Sequence, residues 1–138
     1  MSLIHRVVFD TNILFSAVGW MGNPYRCVQA AREGRCLSIT CEFILAELDE
    51  KLRLKRGMSA TEAAAVIGEI QAFSQVVPLP GKLKIVADDP DDDPVVECAL
   101  VSQAGYILSG DGHLLVLKQY GQIQIITAAE FLALGVKG

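Results

Sequence analysis

Short apolar runs rich in β-branched residues recur along this chain, and helical stretches separate them. Ile4 to Phe9 (IHRVVF), Cys36 to Ile39, Tyr106 to Leu108 and Ile123 to Ile126 each read as a buried strand. Too much chain lies between them for hairpins, and what lies between has helical spacing. Strands alternating with helices predict an α/β fold in three layers, α/β/α, whose central sheet has about five parallel strands and right-handed crossovers. At 138 residues, 51% of them apolar, the chain can bury one sizeable core, so a single domain over 1–138 is the expectation.

The punctuation between strands supports this plan. Asp10, Thr11 and Asn12 end the first strand and suit a helix start, with Ile13, Leu14 and Ala17 at helical spacing until Gly19 and Gly22. Asn23 and Pro24 open a second helix that Gly34 closes. Thr40 is expected to cap a third, from about Cys41 to Leu54, with Phe43, Ile44, Leu48 and Leu52 on its apolar face. Ser59 and Glu62 form a capping-box pattern for a helix to about Phe73, and Thr127 with Glu130 forms another near the end. Gln75 to Leu79 reads as a short strand, and Leu83 to Val86 as a further extended piece. Pro94 suits the first turn of a helix ending near Ala104 and Gly105, and a short helical stretch follows through Leu114, Leu115 and Leu117.

Four acids fall where these strands end or the next helix begins: Asp10, Glu47, Asp93 and Asp111. In an open parallel sheet the carboxyl ends of the strands share one crevice, so acids distant in sequence can meet there around a hard divalent cation. The net charge is −4, yet Asp88, Asp89, Asp91, Asp92 and Asp93 supply five of the acids; without them the balance is +1. A compact acidic cluster on a near-neutral body can hold metal while cations nearby hold phosphates. Lys51, Arg53, Lys55 and Arg56 are the candidate cations, although a helix end also favours them through its macrodipole.

Cys27, Cys36, Cys41 and Cys98 have no paired spacing and read as buried free thiols in a reducing compartment. No apolar run reaches the roughly 18 residues that span a bilayer, and the first residues lack a secretory h-region. A soluble cytoplasmic protein is the expectation. Trp20 and Met21 read as a loop with an exposed aromatic rather than as a lip over the site.

The segments VVFDTNIL (Val7 to Leu14), ILAELDEKL (Ile44 to Leu52), DPDDDPVVECAL (Asp89 to Leu100) and YILSGDGHLL (Tyr106 to Leu115), in that order and spacing, resemble the successive motifs of PIN-domain nucleases. The likeness is nearest to the VapC-like branch, the toxin components of toxin–antitoxin pairs. It implies a metal-dependent endoribonuclease that cleaves single-stranded RNA with metal-activated water. It implies Mg2+ or Mn2+ at Asp10, Glu47, Asp93 and Asp111, with Thr11, Asn12 and Ser109 in supporting positions. It also implies an RNA substrate, an antitoxin partner and a homodimer, for which Met58 to Phe73 would supply a face. One departure stands out: many members carry a further acid two positions after the one matching Asp111, and here that position is His113.

Two other classes use acids at parallel strand ends. A receiver-like phosphoacceptor would want two acids close together near the first strand and a late lysine, an order absent here. A haloacid-dehalogenase-type phosphatase would want aspartate two residues after Asp10, where Asn12 stands. A degenerate PIN fold that binds RNA or protein without catalysis is the alternative that His113 favours.

Overall fold

A computed structural model describes residues 4–80 and 93–135. Among the described residues it contains six strands and seven helices in the order β1 (His5–Phe9), α1 (Thr11–Gly19), α2 (Asn23–Arg32), β2 (Cys36–Thr40), α3 (Glu42–Arg56), α4 (Ala60–Phe73), β3 (Ser74–Val76), α5 (Asp93–Ser102), β4 (Tyr106–Leu108), α6 (Gly112–Leu115), β5 (Gln119–Tyr120), β6 (Ile123–Ile126) and α7 (Ala128–Ala133). The strands form one sheet in the order β3-β2-β1-β4-β6-β5. Five run parallel, and the short β5 pairs antiparallel with β6. Helices flank this mostly parallel sheet, giving the expected three-layer α/β/α architecture.

The central position of β1 follows from its composition. Val7, Val8 and Phe9 are almost wholly buried, so both faces of the strand are covered, as a parallel sheet requires. Around them close Leu14 of α1, Ile44, Leu48 and Leu52 of α3, Val96 of α5 and Phe131 of α7. Helix α5 lies across β1, β2 and β4, while α1 packs on α2 and α3. The ladder continues past the strand ends: Asp10 N donates to Leu108 O at 3.0 Å, and Ser109 N to Ile126 O at 3.0 Å. These two bonds set Asp10 and Ser109 side by side on the carboxyl edge.

Several boundaries differ from the sequence reading, each for a local reason. Thr40 does not cap α3. It ends β2, where its carbonyl accepts from Val77 N at 2.9 Å, and Cys41 takes the cap position. Strand β3 stops at Val76, because Val77 makes a last bond and Pro78 has no N–H to continue the ladder. Helix α5 ends at Ser102, before Ala104 and Gly105. Gln103, at φ 57°, adopts the left-handed turn that usually belongs to glycine, and Ala104 N reaches Ala99 O at 2.9 Å. Strand β5, at two residues, is too short for periodicity to reveal. The extended piece expected at Leu83 to Val86 lies outside the described residues.

Both capping boxes are present. Ser59 Oγ accepts from Glu62 N at 3.0 Å while Glu62 returns a bond to Ser59 N at 2.8 Å, and Thr127 and Glu130 repeat the pattern. Ser59→Ala should therefore lower stability by about 1 kcal/mol, read as a drop in the urea midpoint at unchanged slope. All four cysteines are free and buried, as expected. No helix among the described residues is long and apolar enough to cross a membrane.

Candidate functional site

Asp10 occupies the turn from β1 into α1 and is 4% exposed. A carboxylate so placed has to find donors, and two elements supply them. Ile13 N, in the first turn of α1, donates to Oδ1 at 3.0 Å, which makes Asp10 the N-cap of its helix. Ser109 Oγ, from the end of β4, donates to Oδ2. Ser109 is fully buried, and its Oγ also accepts from Asp111 N at 2.9 Å. One hydroxyl thus ties the first acid to the turn that carries the fourth.

Asp111 caps the short α6, its Oδ1 accepting from His113 N at 2.8 Å. The imidazole Nδ1 of His113 stands 3.6 Å from the same oxygen. The residue that replaces a further acid therefore lies against Asp111 and is positioned to neutralise it when protonated.

The other edge of the site comes from α3. Thr11 Oγ1 donates to Glu47 Oε1, and one turn further along α3 Lys51 Nζ donates to Asn12 Oδ1 at 2.7 Å. Thr11 and Asn12 thus hold an acid and a cation of α3 beside Asp10. Helix spacing explains the arrangement, since residues four apart share a face and Glu47 and Lys51 both look toward α1. Of the four basic residues singled out from the sequence, Lys51 alone has a contact that brings it to this group. Arg53 is paired with Asp49 at 3.1 Å, Lys55 is exposed, and Arg56 lies over the Phe15 ring at 4.0 Å.

Asp93 opens α5 and is buried at 9%. Four residues on, Glu97 is buried at 7% amid Val95, Val96, Cys98 and Ala99. Sequence reading passed over Glu97, though an acid inside a run of buried apolar residues is itself a signal. An acid is seldom buried to this degree unless a partner holds it. Asp88, Asp89, Asp91 and Asp92 lie outside the described residues.

Burial raises the pKa of Asp10 above the ordinary aspartate range, and the negative charge of Asp111 adds to the rise. The Ser109 and Ile13 hydrogen bonds and the positive charge of Lys51 oppose it without cancelling it. Burial, more than the charge of Asp111, sets the direction of the shift. Among the described residues no three acidic, histidine or cysteine side chains stand together as a preformed cation cage. Instead Ser109 donates to Asp10, Thr11 to Glu47 and Lys51 to Asn12. The candidate donors are nonetheless all oxygens, from Asp10, Glu47, Asp111 and Ser109. That chemistry fits a hard divalent cation such as Mg2+, which keeps much of its water and needs few protein ligands.

Against known proteins, the family model described as PIN domain matches residues 6–113. The matched stretch runs from β1 into α6 and includes all four acids singled out from the sequence. None of the curated proteins matches the chain.

Proposed function

The chain belongs to the PIN-domain family, a nuclease fold, and from that premise we propose that it is a metal-dependent endoribonuclease acting on single-stranded RNA at the carboxyl edge of its sheet. The observation that carries the reading is the placement of Asp10. It is a buried carboxylate with a raised pKa, held between Ile13 N and Ser109 Oγ and facing the charges of Asp111 and Lys51. A helix cap alone requires neither burial nor a second acid nearby.

Each residue then has a task that its contacts support. Ser109 and the amide of Ile13 orient the Asp10 carboxylate. Thr11 fixes Glu47, and Asn12 fixes Lys51, whose ammonium supplies positive charge where an RNA phosphate would lie. Asp93 and Asp111 complete the acidic set. Bound there, Mg2+ or Mn2+ would neutralise charge on the phosphate and make water more acidic. Water attack on phosphorus then breaks the bond to the leaving ribose oxygen and adds one water across the phosphodiester.

The resemblance to the VapC-like branch supports a role as the toxin of a toxin–antitoxin pair, acting in the cytoplasm with an antitoxin protein as partner. A homodimer is in keeping with α4, where Val66 and Ile67 are only half-buried. The alternative, a PIN fold that binds RNA or protein without catalysis, draws on His113 lying against Asp111.

The test is incubation of the purified protein with a mixed-sequence single-stranded RNA in Mn2+, in Mg2+ and in chelator. Cutting within the strand in either metal and none in chelator is the expected result. Retention of the RNA without cutting in both metals would favour the binding module instead.

A further inference from the structure

Trp20 is the chain's one tryptophan, and the fold does not use it. It stands at the end of α1, 74% exposed, beside Met21 at 75%. Removing so large an aromatic from water is favourable, so its exposure is unexplained by packing.

A cation, Arg56, lies against the neighbouring Gly19. Helices α1 and α3 run side by side in the same sense. Thr11 and Asn12 touch Glu47 and Lys51 at the carboxylate end, and Phe15 and Gly19 meet Arg56 at the other. The contact at Gly19 is close: a Cβ there would come within 2.2 Å of Arg56 Nη2, so glycine is what lets the guanidinium lie against α1. From Lys51 to Arg56, α3 carries four basic residues, of which Arg53 is paired with Asp49 at 3.1 Å. Packed against Phe15 and Gly19, Arg56 Nη1 is buried and has no hydrogen-bond acceptor among the described residues, so what the guanidinium offers a strand passing above it is charge. The seam between the two helices thus begins at the Asp10 edge with Lys51 and ends, roughly 14 Å along α1, at Arg56 and Trp20.

Positive charge along a track with an exposed aromatic at its end is the chemistry of single-strand recognition. Cations follow the phosphates, and a flat ring accepts any base, since every base has a π-face. Duplex bases are already stacked on one another and offer no free face.

Resting on the nuclease reading above, we propose that Trp20 is a stacking platform for an unpaired base of the RNA substrate, whose strand runs from the Asp10 edge along the α1–α3 seam past Lys51 and Arg56. Substrate preference for unpaired strands then originates about 14 Å from the acids and is separable from the chemistry of cleavage.

The sole tryptophan is its own reporter. A short single-stranded RNA of mixed sequence, titrated in chelator so that nothing is cut, should quench the intrinsic fluorescence, whereas a blunt RNA duplex of equal length should quench it far less. Trp20→Ala should weaken single-strand binding, followed by polarisation of a labelled RNA, by roughly 5- to 100-fold, and Trp20→Phe should restore most of it. Unchanged fluorescence on binding, with Trp20→Ala binding as tightly as wild type, would overturn the proposal and leave the Trp20–Met21 surface to a protein partner. Because binding is read without metal, the result is independent of whether the wild type cuts RNA, and the two readings can fail separately.

Discussion

Asp10→Asn should reduce metal-dependent RNA cleavage by roughly a thousandfold or more while leaving the protein folded, since a cation that stabilises the reacting phosphate contributes several kcal/mol. The substitution is close to isosteric. An amide oxygen can still accept from Ile13 N, so the cap on α1 survives, and only the charge and the second acceptor oxygen are lost. A carboxylate serving purely as a helix cap would lose little by this change, because asparagine caps as well as aspartate does. Glu69→Gln on α4, where the acid pairs with Arg32 at 2.6 Å, is the matched control and should cut RNA at near the wild-type rate. Single-turnover cleavage of a labelled RNA in Mn2+ measures all three proteins. Equal rates for Asp10→Asn and wild type would place the chemistry elsewhere.

The same aspartate should make the metal-free protein weaker as the pH rises. Its pKa is raised in the fold above the ordinary aspartate value of 3.8, burial being the largest cause. The folded state therefore holds a proton that the unfolded state releases over the window between 3.8 and the raised value. This contribution to stability is fully present below that window and is lost as the pH climbs through it. Above that window the wild type in chelator carries a charge that burial disfavours. Asp10→Asn should remove that cost and melt higher by roughly 4 °C, the shift made by ~1 kcal/mol in a domain of this size, with the difference vanishing in acid. Mn2+ should raise the wild-type midpoint and leave the variant's nearly unmoved, because a ligand that binds only the folded state stabilises it by mass action. Melting curves from pH 3 to 8, with and without metal, test the sign; a wild type that gains on Asp10→Asn as pH rises would contradict it.

Much of the architecture is legible in the residues because parallel strands buried on both faces have to be written as unbroken apolar runs. Val7 to Phe9 and Tyr106 to Leu108 are such runs, and Asp10 and Ser109 mark their ends. The two capping boxes are legible for the same kind of reason: the hydrogen bonds are local, so three-residue spacing reveals them. Boundaries set by distant partners are harder. Thr40 looks like a cap until β3 takes its carbonyl, and Gln103 in a left-handed turn has no signature comparable to glycine's.

At the site, the places of Asp10, Glu47, Asp93 and Asp111 at strand ends and helix starts point to a shared edge but cannot show which groups hold each side chain. Ser109 donates to Asp10, Thr11 to Glu47 and Lys51 to Asn12, contacts that no spacing announces. Cationic residues on one helix proved the least readable. A helix distributes its residues around a circle, so Lys51 reaches the acids, Arg53 turns back to Asp49 and Arg56 crosses Phe15. Glu97 escaped notice because the neighbouring aspartates dominated the reading of that segment.

Calorimetric titration of Mn2+ into the wild type and into Asp10→Asn, both confirmed as folded by circular dichroism, addresses the carboxylate edge itself. The account predicts saturable binding in the wild type that is lost or weakened severalfold in the variant. Equal Mn2+ binding by the two proteins, or none by the wild type, would contradict a metal centre built on Asp10.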